Sequence, residues 1–298
     1  MQYQHARVLA DNLTPIHYNE QIDSLNGLMA FLGQGCRIDS ISTLDLQNYK
    51  SKLQSHYASV GRLNLNIGIM KAMFHWARKN DILENIPNID AVSKGKVIHK
   101  EMYTFSSQQI NKLLSAANVK MKAMIWLGLN CGFGCTDCGK LKWKDLDIQN
   151  GRVRLARNKT GVRRNLPLWP ETIKALNELP RSGPCVFYTS QGHPWVRTVM
   201  KTNEDGEPEY SPVNRISPTF SRLMKKAGIH APKGMAFYAL RRTAATIAAR
   251  SGDPFAAQRL LGHVDLTMAT RYVQDVSEQT DRVIENSREY VIRGKDAG

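Results

Sequence analysis

Apolar positions recur at helical spacing through the first ninety residues, in IDSLNGLMAFLGQ, in LDLQNYKSKLQSHY and in LNLNIGIMKAMFHWARKND. Each run places a single apolar stripe on a 3.6-residue period, the pattern of a helix packed on one side. The spacing predicts a small helical domain over residues 1–95. Its last helix ends at DILENIPNID, where Asn85 to Pro87 stops the repeat. The polar and basic stretch AVSKGKVIHKE then reads as a linker, with a second domain over residues 98–298.

That second domain opens with TFSSQQINKLLSAA, in which Ser106 or Ser107 caps a helix and Gln109 completes a capping box. The apolar helix KMKAMIWLGLNCG follows. Period-2 alternation then predicts short strands at DLDIQN, RVRLAR and RRNLPL, the last two flanking NKTGV as a hairpin. Residues 189–213 are polar and rich in Gly, Pro and acidic side chains, and are expected to form a mobile surface loop. Helical periodicity resumes in VNRISPTFSRLMKKAG, ALRRTAATIAARSG, PFAAQRLLGH and VSEQTDRVIENSREYVI. The fold class is therefore mainly α with a small antiparallel β-sheet, a helical domain followed by a mixed α/β domain.

Charge changes this picture. The chain holds 41 Lys and Arg against 26 Asp and Glu, a formal net charge of +15, so a polyanion is the first partner to consider. Residues 1–95 carry 9 basic and 8 acidic side chains, against 32 and 18 downstream. The first domain would thus need a local patch to hold phosphate, and Arg62, Lys71, Arg78 and Lys79, all within one predicted helix, are the candidates. No apolar run follows Met1, and no stretch reaches the roughly 18 apolar residues of a membrane helix. The expectation is a cytoplasmic protein without a membrane partner. Five cysteines, an odd number, point to reduced thiols rather than a disulfide framework.

The most informative stretch is YALRRTAATIAARSGDPFAAQRLLGHVDLTMATRYV, residues 238–273. It resembles the signature of the tyrosine recombinase (phage integrase) family. There a helix carries His-x-x-Arg, a second His or Trp follows in a Leu-Gly-His context, and a nucleophilic Tyr comes nine residues later. Arg241, His263 and Tyr272 match in identity and spacing. Upstream, CGFGCTDCGKLKWKDLD sits where the family has Gly-x-Arg-x-x-Glu-x-x-x-Leu-x-Trp, and NKTGVRRNLPL resembles its lysine hairpin, with Lys159 the matching lysine.

The chemistry explains why such residues gather. Cutting a phosphodiester without a metal requires a nucleophile, cationic donors for the non-bridging oxygens, and an acid for the leaving oxygen. The resemblance implies that Tyr272 attacks the scissile phosphate to form a 3′-phosphotyrosyl link. It implies that Arg241 and His263 stabilise the pentacoordinate transition state and that Lys159 protonates the 5′ oxygen, with no cofactor and no metal. Two positions depart from the pattern. Gly134 stands where the family has its first arginine, with Asp137 at the nearby acidic position, and Tyr238 replaces the His of His-x-x-Arg. Losing a preorganised donor to a transition-state oxyanion costs roughly 3–4 kcal/mol. Lys140, Arg163, Arg164 and Arg242 are the basic residues to inspect for compensation, although Arg242, about 100° round the helix from Arg241, is expected to point elsewhere.

The resemblance further implies a two-domain clamp around double-stranded DNA and a homotetramer on paired DNA sites, with residues 276–293 as a C-terminal helix passed to a neighbour. Two functions stay open. One is a site-specific recombinase or integrase of a mobile element; the other is an inactive relative that binds DNA in regulation or architecture. Residues 239–265 also fit a helix-turn-helix. A metal-dependent nuclease lacks a convincing carboxylate cluster. Cys131, Cys135 and Cys138 fall at i, i+4 and i+7 of a possible helix, which suits buried small residues better than zinc ligands, since no fourth ligand stands at zinc-site spacing.

Overall fold

The computed structural model describes residues 2–97, 103–157, 161–202, 206, 208–230, 232, 234–250 and 254–262, with the backbone alone at 249, 250, 254, 256 and 257. The chain divides into two compact units. One comprises Met1–Lys100 with Thr198–Pro212, the other Glu101–Arg197 with Val213–Gly298.

The first unit is helical: α1 (Gln2–Leu9), α2 (Pro15–Leu32), α3 (Thr43–His56) and α4 (Val60–Lys79). Local chemistry sets their starts. Thr14 accepts from the His17 amide ahead of Pro15 at the first helical position, and Ser42 forms a reciprocal capping box with Asp45, two arrangements that satisfy amides a helix N-terminus leaves unpaired. The periodic apolar positions meet in one core that includes Leu28, Leu46, Tyr49, Leu63, Ile67, Met70 and Phe74.

The second unit begins with α5 (Ser107–Ala116), α6 (Val119–Cys131) and the short α7 (Cys135–Lys140). The expected capping box is present, with Ser106 and Gln109 as its members. Helix α6 is buried along nearly its whole length, and Gly132, at φ 61°, ends it in the left-handed conformation that glycine adopts without a Cβ clash. Strands β1 (Leu146–Asp147), β2 (Arg152–Ala156) and β3 (Arg163–Pro167) form the expected antiparallel sheet, with Val153 opposite Leu166 and Leu155 opposite Arg164. Helix α8 (Pro170–Asn177) follows. Buried Asn130 ties these pieces together: its amide donates to the Pro167 carbonyl at 3.0 Å, and its oxygen accepts from the Trp169 amide at 2.7 Å and from the Thr172 hydroxyl at 3.0 Å.

The stretch expected to be a mobile surface loop instead forms a two-stranded sheet, β4 (Val196–Thr202) and β5 (Pro208–Asn214). The physical reason is the alternation in VRTVMKT and the burial of Tyr210, which packs edge-on against Tyr18 at 5.8 Å within the first unit. Helices α9 (Ile216–Lys226), α10 (Tyr238–Arg250) and α11 (Pro254–Leu261) complete the described chain. Helix α10 packs on α6 so closely that a Cβ on Gly128 would lie 3.0 Å from that of Leu240. The unit's core includes Leu127, Phe133, Leu141, Phe187, Phe220, Phe237 and Leu240. No helix among the described residues is long and apolar enough to cross a membrane.

Candidate active site

The site is built around one carboxylate. Asp137, on α7, is buried; its Oδ1 accepts from Arg164 Nη2 at 2.8 Å, and its Oδ2 accepts from the Gly134 amide at 3.0 Å. Oδ2 also lies 3.9 Å from Arg241 Nη1. Asp137 therefore caps its own helix and pairs with a guanidinium whose side chain is fully buried. A buried ion is tolerated only when paired and hydrogen-bonded, so this carboxylate fixes Arg164. The Arg164 guanidinium also lies over the Phe133 ring, 4.9 Å from its centroid. Its Nε and Nη1 have no hydrogen-bond partner among the described residues.

Arg241 is almost completely enclosed. It projects from α10, and its two terminal nitrogens donate to the carbonyls of Gly132 and Leu261. These are the C-terminal ends of α6 and α11, where unsatisfied carbonyls carry partial negative charge that favours a cation. A third arginine arrives from the end of β2. Arg157 Nη1 donates to the Gly262 carbonyl at 3.2 Å, one residue beyond the carbonyl that Arg241 uses. A Cβ built on Gly262 would meet Arg164 Cδ at 3.1 Å and Arg157 Cδ at 3.3 Å. The C-terminal end of α11 thus gathers three guanidinium side chains, and the next residue in the chain is His263.

The charges in this cluster do not balance among the described residues. Asp137 is its one carboxylate among the described residues, and no described acidic side chain lies within 4.0 Å of Arg157. Arg157 is pushed below the usual arginine range, first by burial and next by the charge of Arg241, with Tyr238 and Asp137 acting in the opposite sense and Arg164 adding to the depression. Such a cluster can accept an anion: an arriving phosphodiester would replace unfavourable cation–cation contacts with charge-assisted hydrogen bonds.

The predicted residues divide as follows. Arg241, Tyr238 and Gly134 come together: a Cβ on Gly134 would sit 3.6 Å from the Tyr238 ring, so the position lacking an arginine does face this site. Gly134 has φ −93°, a backbone that any residue adopts. Arg164 is at the site, whereas its neighbour Arg163 points to the exposed face of β3. Arg242 stacks over Tyr238, with its guanidinium 5.7 Å from the ring centroid. Lys140 is exposed at the end of α7. Lys159, His263, Tyr272 and the segment 276–293 lie outside the described residues.

In the first unit, all four basic candidates lie on α4. At 100° per residue, Arg62 and Lys71 fall on opposite sides of that helix. Arg62 pairs with Glu20 at 3.2 Å and Lys71 with Asp90 at 3.6 Å, while Arg78 and Lys79 are exposed near its C-terminus. The three clustered cysteines are not on one helix. Cys131 ends α6, Gly132 breaks the chain direction and Cys135 begins α7. Burial pushes the Cys131 thiol up to about 12 and that of Cys138 well above its ordinary value, the behaviour of packed small residues. Among the described residues no three His, Cys, Asp or Glu side chains could hold a metal.

Arg157 and the organising role of Asp137 are what sequence reasoning missed. Two residues before Lys159, Arg157 reads as an ordinary strand-end cation; its significance comes from contact with Gly262, 105 residues away.

The model of the phage integrase family matches residues 103–279. A protein named "Tyrosine recombinase XerC-like" from Caldanaerobacter subterraneus is 22% identical over 293 residues, covering 87% of this chain and 73% of that protein. "Tyrosine recombinase XerD" from Ralstonia nicotianae is 24% identical over 265 residues, covering 83% and 79%. Among solved structures, the Tn1549 transposon integrase in complex with transposon right end DNA has a TM-score of 0.70 at 19% identity, covering 96% of this chain and 97% of that one. A lambda integrase tetramer bound to a Holliday junction has a TM-score of 0.69 at 17% identity, covering 92% and 76%.

Proposed function

The chain belongs to the phage integrase family, and we propose that it is a site-specific DNA recombinase working through a covalent phosphotyrosyl intermediate. The observation that carries this reading is the cluster of half-buried Arg157 with buried Arg164 and Arg241 around Asp137, its one carboxylate among the described residues. A preorganised excess of guanidinium charge suits the pentacoordinate phosphate of strand cleavage, where charge grows on the non-bridging oxygens. In the proposed reaction the Tyr272 oxygen attacks the scissile phosphorus and the bond to the 5′ oxygen breaks. Lys159 protonates that departing oxygen, while Arg241 and His263 stabilise the transition state. The phosphotyrosyl bond conserves the energy of the broken phosphodiester, so a 5′-hydroxyl can reverse the step and rejoin strands without ATP. By analogy with the lambda integrase assembly, double-stranded DNA is the partner and a homotetramer forms on paired sites.

Gly134 favours the second reading, a relative that binds DNA without cutting it. One experiment separates the two. The protein is incubated, with EDTA present, with nicked duplexes drawn from the flanks of its own gene, and SDS-resistant protein–DNA adducts are counted. An adduct supports the recombinase. Salt-sensitive binding without an adduct, followed by adduct formation in Gly134→Arg, identifies a binding protein that has lost its chemistry.

A further inference from the structure

We infer that Arg157 contacts the scissile phosphate and supplies the positive charge that Gly134 leaves out, an assignment that rests on the recombinase reading above. Three observations converge. First, the vacancy is real and local: Gly134 faces Tyr238, one helical turn before Arg241 on α10, and it offers no side chain. Second, of the arginines in the cluster, Arg157 is the one with a path to solvent. Arg164 is fully buried against Asp137, and Arg241 spends both terminal nitrogens on backbone carbonyls. Arg157 is half-buried, and of its nitrogens only Nη1 donates a hydrogen bond among the described residues, to Gly262. Third, its one hydrogen bond among the described residues goes to a carbonyl and not to a counter-ion. No carboxylate pairs with it among the described residues, while Arg241 and Arg164 both act on it as like charges.

A cation held beside two others costs free energy that an anion recovers on binding. The Gly262 carbonyl holds the side chain in place. One helix terminus thereby positions Arg241 and Arg157 side by side, through consecutive carbonyls, just ahead of His263 in the chain. An arginine reaching the phosphate from β2 replaces one reaching it from the α7 N-terminus, and the donor geometry moves to another element of the same unit.

The test uses full-length protein and nicked duplexes in two forms, one with an ordinary scissile phosphodiester and one with a methylphosphonate there, in which a methyl group replaces a charged non-bridging oxygen. Arg157→Ala is expected to slow adduct formation on the phosphodiester by about a hundredfold to a thousandfold, with the melting temperature not lowered. Most of that deficit should vanish on the methylphosphonate, where the charge to be neutralised is gone. Arg157→Lys should be intermediate, and Gly134→Arg should rescue Arg157→Ala, since a Cβ at 134 meets nothing closer than 3.6 Å and faces Tyr238. A purely structural arginine would show neither rescue.

If Arg157→Ala cleaves the phosphodiester at the wild-type rate, the assignment fails while the recombinase reading stands. The assignment also fails if the wild type forms no adduct but Gly134→Arg does, because Arg157 then does not replace the missing group. If neither forms one, the recombinase reading itself is wrong and this inference goes with it.

Discussion

Removing the Asp137 carboxylate should be among the most damaging single changes in the second unit. Asp137→Ala strands the Arg164 guanidinium, whose side chain is fully buried and whose Nε and Nη1 already lack partners among the described residues. Breaking a buried ion pair by deleting one member costs about 3–5 kcal/mol, because the remaining charge stays desolvated and unpaired. The same substitution removes the acceptor for the Gly134 amide at the start of α7, a capping loss of about 1 kcal/mol. The Arg241 contact, at 3.9 Å, adds less. The sum is about 4–6 kcal/mol. For a domain of this size it lowers the melting temperature by roughly 8–24 °C at 2–4 °C per kcal/mol. Urea unfolding followed by tryptophan fluorescence measures it. Asp137→Asn, which keeps an acceptor oxygen, should cost less. The double variant Asp137→Leu/Arg164→Met should recover much of the loss by replacing the pair with apolar volume. A cost for Asp137→Ala below about 1 kcal/mol, or a double variant no more stable than Asp137→Ala, would refute the view that this carboxylate anchors the site.

Glycine substitutions five residues apart should differ sharply. Gly139→Ala places a Cβ 2.4 Å from Val196 Cγ2 and 3.1 Å from its backbone nitrogen and should cost about 1–3 kcal/mol in urea unfolding. Gly134→Ala, with nothing closer than 3.6 Å, should cost under about 1 kcal/mol; equal costs would count against the local packing described. Thiolate is the reactive form of cysteine, and burial holds the Cys131 thiol near 12 and Cys138 well above its ordinary value. Both should stay neutral and unlabelled by maleimide at pH 8 in the folded protein while exposed Cys36 reacts; peptide mapping that finds Cys131 or Cys138 labelled first would contradict this. Arg78→Ala and Lys79→Ala should each reduce the slope of log affinity against log salt by about 0.9 if α4 meets phosphate there; an unchanged slope places the contact elsewhere.

Much of the fold was legible because its signals are local. The Ser106–Gln109 capping box, the α4 periodicity and the hairpin around NKTG follow from residues close in sequence, and the structure reproduces the elements they specify. The β4–β5 sheet was missed because its alternation is obscured in the sequence by Pro208, Pro212 and the acidic residues Glu204, Asp205 and Glu207. What stabilises it is a non-local contact, Tyr210 with Tyr18. Within the site, Arg241 and the vacancy at Gly134 were legible from spacing, whereas Arg157 was not: a strand-end arginine becomes a site residue only when α11 brings Gly262 to it. Sequence spacing likewise suggested one helix for three cysteines and one patch for four cations. Gly132 interrupts the first, and the turn of α4 separates members of the second.

The most direct test of the account is to locate the covalent bond. Adducts formed on the nicked duplex are digested with protease and nuclease, and the modified peptide is sequenced by mass spectrometry. The account predicts a nucleotide attached through its 3′-phosphate to Tyr272, absent from Tyr272→Phe. Attachment to any other residue, or an adduct that persists in Tyr272→Phe, would contradict it.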